Sequence, residues 1–364
     1  RLGAAVMRML PVPAKMGLIA VTAVVPVLWL LGNFVNAQRE SLLFVAGERD
    51  GVHLAQAIYP AMHASSNWRY HARNVAIGEP GASSDDARRQ FDAAYKKLED
   101  VHAQVGPALG TAAAWGKVQQ GLAAAKAGER GKPDEVLTSM TELSRALTAM
   151  LNDVTDKSGL ALDPDMASYY VMSAALMRGP QVMQGTGELR GLGGGALKAG
   201  KLSPEQFARI NRQAAVVSHE LTLAAQDLAK ARAADPETAR QLKVNAADAT
   251  TDFLKQVTQA FPPGQEEVKG ERAAFVALAN QTLESQFAQV VANLGVLDQL
   301  LAQRESRLQQ ALWWALGFTL MGIALAAYLT MGFYVALVSG FKEVRKQLVS
   351  MSMGDMRTDI QVVG

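Results

Sequence analysis

The stretch MGLIAVTAVVPVLWLLGNFV, residues 16–35, contains no charged residue. A helix needs roughly 20 apolar residues to cross the hydrocarbon core of a membrane, and this stretch is long enough. A second stretch of this kind, ALWWALGFTLMGIALAAYLTMGFY, covers residues 311–334 and is also uncharged. Between the two lies a long polar segment, residues 36–310. The sequence therefore predicts a bitopic membrane protein with two transmembrane helices and a large domain on one side.

Basic residues flank both apolar stretches, and no acidic residue precedes the first. The basic residues are Arg1, Arg8 and Lys15 before the first stretch, and Lys342, Arg345, Lys346 and Arg357 after the second. The positive-inside rule then places both termini in the cytoplasm. The first apolar run is longer than that of a usual signal peptide, which favours a retained anchor. We expect a protein of the bacterial inner (plasma) membrane, with residues 1–15 cytoplasmic and residues 36–310 periplasmic.

The composition excludes several classes of function. A net charge of +2 over 364 residues argues against an electrostatic nucleic-acid binder. The absence of Cys excludes a disulfide framework, Cys-ligated zinc and a Cys nucleophile. The five His residues form no HExxH pattern, and His63 and His71 lie about two helical turns apart. The sequence thus predicts no enzyme activity, no metal site and no cofactor.

The outer segment has helical patterns throughout. An apolar stripe with steps of four and three residues, typical of packed long helices, begins at Leu54. Its members are Leu54, Ile58, Ala61, Ser65, Trp68, Ala72 and Val75. Helix starts are marked where an N-capping residue precedes a proline, at Asp163-Pro164, Ser203-Pro204 and Asp235-Pro236.

These signals divide the outer segment into seven predicted helices. They cover residues 36–78, 86–127, 133–157, 164–198, 203–233, 235–260 and 265–310. Pro107 and Pro180 lie inside helical patterns and should kink or split them. The glycine run Gly191, Gly193, Gly194 and Gly195 is interpreted as a turn. The predicted fold class is all-α: an elongated periplasmic helical bundle of two stacked four-helix modules, which share the long first and last helices, flanked by two transmembrane helices.

The segment after the second apolar stretch, residues 335–364, has its own pattern. Phe341, Val344, Leu348 and Met351 form a short coiled-coil seam, and Gly354 ends the helix. The order of these features resembles the first half of a HAMP linker: the membrane span is followed by a short amphipathic helix, a Gly-Asp turn and the extended residues 360–362. The usual proline early in the first HAMP helix is missing. The chain ends before a second HAMP helix, so the linker is expected to be truncated.

With this linker in place, the chain resembles the sensory half of a bacterial methyl-accepting chemotaxis protein. The stretch DKSGLALDPDMASYYVM, residues 156–172, is similar to receptors with an enlarged all-helical ligand-binding region. The resemblance implies a transmembrane chemoreceptor that senses an extracytoplasmic small molecule and transmits a helix displacement through the membrane to the HAMP linker. It also implies a homodimer, higher receptor arrays, and a cytoplasmic histidine kinase and adaptor as partners.

Other functions fit the same layout. A HAMP linker also occurs in the sensor halves of histidine kinases and cyclic-dinucleotide enzymes. The stretch WRYHARNVAIG, residues 68–78, is similar to the Arg-bearing helix of a nitrate-sensing-type helical domain. A structural or adhesive membrane protein without a ligand is a third class.

Four residues are candidates for ligand contact. Arg69 and Arg73 are four residues apart and share one helix face, and the chemoreceptor resemblance implies that arginines there bind a carboxylate. A guanidinium suits a small anion because its planar fork donates two hydrogen bonds at once. Tyr169 and Arg178 are candidates for lining the mouth of a pocket. The alternatives are a solvated face for the arginines and packing aromatics behind a helix cap for the tyrosine.

Overall fold

The computed structural model describes residues 9–262 and 268–352. Every regular element in these residues is helical, and none of them forms a strand. The all-α prediction is therefore confirmed. The Gly354 turn, the extended residues 360–362, the start of the helix predicted at residue 265, and Arg1, Arg8 and Arg357 lie outside the described residues.

The helices follow one another along the chain with short connections. They are α1 (Val12–Ala76), α2 (Asp85–Leu109), α3 (Ala112–Gly128), α4 (Pro133–Lys157), α5 (Met166–Met172), α6 (Gly179–Ala199), α7 (Pro204–Ala234), α8 (Pro236–Gln241), α9 (Ala246–Ala260) and α10 (Arg272–Ser352). A 3₁₀ turn covers Leu160–Leu162, and a π-helical turn covers Ser173–Arg178 between α5 and α6.

Several predicted boundaries agree with these helices and two do not. The Ser203 hydroxyl accepts a hydrogen bond from the Gln206 amide, so the predicted cap of α7 is confirmed. The predicted helix 86–127 is split at Gly110, three residues after Pro107. The backbone of Gly110 has a φ of +68°, which ends the helix there. The predicted helix 235–260 is likewise two helices, α8 and α9. The glycine run is not a turn, because α6 continues through Gly191 and Gly195 to Ala199.

The chain divides into two compact units, residues 1–42 with 306–364, and residues 43–305. In the first unit, the described residues belong to α1 and α10 apart from the short segment before Val12. Each of these helices contains an 18-residue window apolar enough to cross a membrane, with a mean hydropathy of 2.2 in α1 and 1.9 in α10. No residue of either window is buried. By length and composition both helices could therefore span a bilayer, while the orientation stays a prediction.

In the second unit, α1 to α4 pack around aromatic side chains. Trp68 of α1 stacks on Phe91 of α2, with ring centroids 5.2 Å apart. Trp115 of α3 stacks on His102 of α2 at 4.7 Å. The hydroxyls of Ser65 on α1 and of a serine on α4, Ser144, are 3.3 Å apart. These contacts define a first group of four helices.

A second group comprises α6, α7, α9 and the part of α10 before residue 306. Its core is apolar and fully enclosed, and aromatic rings from α9, its following loop and α10 meet at its centre. The buried members include Val182, Leu189, Ile210, Val217, Phe253, Val257, Phe261, Phe275 and Ala279.

Helix α1 contacts both groups along the same stretch. Ser65 contacts α4, while the neighbouring Ser66 and Asn67 accept hydrogen bonds from α6. The two groups therefore lie beside each other along α1, and the predicted end-to-end stack of two modules is not confirmed. The predicted apolar stripe faces this shared interior from Leu54 to Ala72, whereas its last member, Val75, is 43% exposed.

Candidate ligand-binding site

Arg190 is a buried cation in the middle of the second unit. It lies on α6, and only 2% of its surface is exposed. Its Nη1 donates to the side-chain oxygens of Asn67 on α1 at 3.0 Å and Asn280 on α10 at 2.8 Å. Its Nη2 donates to the backbone carbonyl of Ser66 at 3.1 Å. The guanidinium carbon lies 4.4 Å from the centre of the Tyr70 ring, a cation–π contact.

The hydrogen-bond partners of Arg190 are all neutral, although the nearby charge of Glu284 acts to raise its pKa. Among the described residues no carboxylate lies within ion-pair distance of Arg190, and its Nε is buried without a hydrogen-bond partner. Burial lowers the pKa of Arg190 to about 10, so the side chain still carries its charge at neutral pH. A buried charge is costly unless it is paired. An anion bound beside Arg190 would supply the missing partner.

Glycines in α6 bring Arg190 close to its neighbours. A Cβ added at Gly187 would lie 3.1 Å from the Ser66 hydroxyl, so α6 approaches α1 closely there. A Cβ at Gly193 would lie only 2.5 Å from the Phe275 ring of α10. Because α6 lacks side chains at these points, its backbone can lie against both long helices, and Arg190 reaches them together.

Arg190 lines two cavities. The first, which we call the basic cavity, has a volume of about 450 Å³. It is lined by Tyr70, Arg73, Asn74, Ile77, Arg190, Gly191, Gly194, Gly195, Lys198, Ala199 and Arg272. Four of these residues are cationic and none is acidic. A cavity with this lining can hold an anion.

The second, which we call the polar cavity, has a volume of about 370 Å³. It is lined by Asn67, His71, Ser83, Asp86, Ala87, Gln90, Arg190, Asn280 and Glu284. Its two carboxylates make it less favourable for an anion than the basic cavity. Within the described residues no group of three or more His, Asp or Glu side chains is placed to hold a metal ion.

The structure places the two predicted arginines of α1 at different cavities. Arg73 lines the basic cavity together with Arg190. Arg69 lines a third, small cavity of about 40 Å³, where burial lowers its pKa and nearby Glu188 partly opposes that shift. Arg69 and Arg190 are close enough that the charge of Arg69 lowers the pKa of Arg190 further.

Tyr169 and Arg178 lie elsewhere. Tyr169 packs edge-on against Tyr170, with ring centroids 5.3 Å apart. Arg178 forms ion pairs with Glu220 at 3.3 Å and Asp227 at 3.9 Å, both on α7. Neither residue lines the basic, polar or third cavity. The geometry therefore brings together Arg73 and Arg190, and it does not bring Tyr169 or Arg178 to them.

Arg190 was not among the residues predicted from the sequence. The stretch that contains it, GELRGLGGGAL, residues 187–197, lies within the predicted helix 164–198, and only its glycine run is interpreted as a turn. The available signal was a lone arginine among glycines and apolar residues. In a helix, such an arginine is either exposed to solvent or buried with hydrogen-bond partners. Only the packing of α6 against its neighbours decides which of the two environments Arg190 has.

Comparisons with known proteins give a fold and no family. No protein-family model and no curated protein sequence matches this chain. A solved structure that resembles it is described as the structure of the NasR transcription antiterminator. The two share 13% sequence identity over 91% of this chain and 90% of the other, with a TM-score of 0.58. At this identity the similarity shows a shared helical fold alone.

Proposed function

We propose that this protein is a transmembrane chemoreceptor that senses a small extracytoplasmic anion. Residues 36–310 form its periplasmic sensory domain, and ligand binding displaces a helix through the membrane towards the HAMP-like residues 335–364. The output is chemotaxis signalling through a cytoplasmic histidine kinase and adaptor, by a homodimer. The observation that carries the ligand part of the proposal is the buried guanidinium of Arg190, held by neutral partners only.

The placement of Asn280 supports a link between ligand and signal. Asn280 accepts a hydrogen bond from Arg190 and belongs to α10, the helix that also contains the second apolar stretch. An anion that draws the guanidinium towards itself competes with Asn280 for the same donor. A ligand needs only different affinities for two positions of a helix to shift their populations.

The same architecture serves a second output. The sensor half of a transmembrane histidine kinase or of a cyclic-dinucleotide enzyme would need the same anion site and the same helix. The type of output domain discriminates the two. A long heptad hairpin with Glu/Gln pairs fits the chemoreceptor, whereas an ATP-binding or cyclase domain fits the alternative.

Thermal unfolding of the full chain in lipid nanodiscs tests the ligand part. The additives are acetate, malate, aspartate and nitrate, against a neutral osmolyte. A ligand at 100 times its dissociation constant stabilises the folded state by about 2.7 kcal/mol. We expect at least one of the anions to raise the melting temperature.

Three variants connect that shift to the site. Arg190→Met removes the donors and should abolish the shift. Arg73→Gln should weaken it with little change in the apo melting temperature, since Arg73 forms no ion pair among the described residues. Arg209→Gln on the exposed face of α7 is the matched control and should leave the shift intact. An anion response that survives Arg190→Met, or the absence of any response in the wild type, contradicts the proposal.

A further inference from the structure

The basic cavity lies between two helix faces of the same spacing. The α1 face consists of Tyr70, Arg73 and Asn74 and continues to Ile77 in the turn that follows the helix, and the α6 face consists of Gly191, Gly194, Gly195 and Lys198. Both sets follow the i, i+3, i+4, i+7 spacing, so each lies along one side of its helix. Arg190 and Arg272 complete the lining.

The α6 face is open because three of its four residues have no side chain. A Cβ added at Gly191 or Gly195 would meet no atom within 4 Å. These glycines are therefore not required for close helix packing, unlike Gly193, whose added Cβ would lie 2.5 Å from the Phe275 ring. The space that they leave is part of the cavity.

The charges around this cavity do not balance. Lys198 and Arg272 both form an ion pair with one carboxylate, that of Glu79 in the turn after α1. These two hydrogen bonds hold the pKa of Glu79 below its usual value. Arg73 and Arg190 have no carboxylate partner among the described residues. Of the acids near these four cations, Glu79 pairs with two of them, and the charge of Glu284, which lines the polar cavity with Arg190, offsets part of the charge of Arg190. A surplus of positive charge remains around the basic cavity.

We propose that the basic cavity takes a small anion with two or more negative charges, and that Glu79 is an internal competitor of that anion. This inference rests on the proposed function and names its ligand class. A singly charged anion can pair with Arg190 but leaves part of the surplus unbalanced. A dianion can contact Arg190 and Arg73 with one group, and with the other replace Glu79 at Lys198 and Arg272.

Glu79 is suited to be displaced. Its partner Lys198 is 44% exposed and Arg272 is 27% exposed, so water can solvate these groups while the ion pairs exchange. Ion pairs of this kind are weak individually. The competing carboxylate therefore lowers the affinity for a dianion by about fivefold at most for each of its two ion pairs, rather than closing the site.

The test compares succinate with succinamate, which has nearly the same size and one carboxylate fewer. Dissociation constants are measured by thermal shift on the full chain in nanodiscs at pH 7.5, with inorganic phosphate as a second dianion. We expect succinate or phosphate to bind at least tenfold more tightly than succinamate.

Glu79→Gln should tighten dianion binding about fivefold and leave succinamate binding nearly unchanged, since it removes the competing charge. Lys198→Met should remove the preference for the dianion.

A control and two outcomes make the test decisive. Glu142→Gln, at an exposed site on α4, removes one acid elsewhere and should change no dissociation constant. If both ligands bind equally, or if Glu79→Gln fails to tighten dianion binding, the inference is overturned. If monovalent anions still bind and need Arg190 in that case, the proposed function stands without it. If no anion binds at all, both are overturned.

Discussion

At the scale of single residues, the second unit holds a buried acid with an unusual environment. Glu48 on α1 is completely buried, and Arg304 on α10 pairs with both Glu48 and Asp163. One carboxylate oxygen of each acid is buried without a partner among the described residues. Burial, and then the charge of Asp163, raises the pKa of Glu48 to about 8, with Asp165 contributing further. Two carboxylates thus share one guanidinium, so a proton on Glu48 balances the cluster.

The pKa of Glu48 predicts a pH dependence of stability. The folded-state pKa of about 8 lies above the ordinary value of 4.5, so the folded chain binds the extra proton between these values. The stabilisation is complete below pH 4.5 and is lost as the pH rises towards 8, by about 1.4 kcal/mol per pH unit at most. Glu48→Gln imitates the protonated form, so its urea midpoint should fall less than that of the wild type between pH 5 and pH 9.

The control for this measurement is Glu142→Gln, which removes an exposed acid and should keep the wild-type slope. A slope that Glu48→Gln leaves unchanged would show that Glu48 is ionised in the folded chain throughout this range.

At the scale of elements, the π-helical turn before α6 explains why the buried hydroxyl of Tyr59 donates a hydrogen bond to a helix carbonyl. In a π-helix the carbonyl of residue i accepts from the amide of residue i+5. Gly179 donates in this way to Ala174. The next carbonyl, that of Ala175, would need the amide of Pro180, which has none. The hydroxyl of Tyr59 on α1 donates to Ala175 instead. Pro180 was predicted to disturb its helix, and the π-helical turn lies immediately before it.

This arrangement predicts a double-mutant cycle. Tyr59→Phe leaves the Ala175 carbonyl without its donor in a fully buried place and should destabilise the fold by about 1–3 kcal/mol. In the Pro180→Ala background the chain regains an amide that can bond to Ala175. The cost of Tyr59→Phe should then be smaller, which equilibrium unfolding in urea measures for all four proteins. Equal costs in both backgrounds would show that the tyrosine does not substitute for the missing amide.

At the scale of the whole molecule, the structure changes where a dimer contact can lie. The homodimer that the resemblance implies remains a prediction, and its contact cannot include Leu54 and Ile58 of α1, which are buried in the chain's own core. Leu43 on the same helix is 65% exposed. In this Cys-free chain, a single Cys at Leu43 should give cross-linked dimers in membranes, and a single Cys at Leu54 should not. Dimers from Leu54→Cys, or monomers from a series of exposed α1 positions, would contradict a dimer built on this helix.

The sequence by itself determined the features that depend on neighbouring residues. Uncharged runs of 20 and 24 residues identify the two apolar helices without any packing. The cap at Ser203 and the break after Pro107 follow from local backbone chemistry, and both are present. Helical periodicity also identified the buried stripe from Leu54 to Ala72, because it shows which side of a helix avoids water.

Only the tertiary structure decided which of those faces meet. Periodicity does not specify the helix that covers an apolar stripe, so the stripe of α1 could not be assigned to a dimer or to the chain's own core. Arg190 and Asn67 are 123 residues apart, and Arg304 and Glu48 are 256 apart. Their contacts arise because close packing of α6 and α10 against α1 removes water from groups that local sequence would leave exposed. The buried charges, and with them the candidate site, are products of that packing.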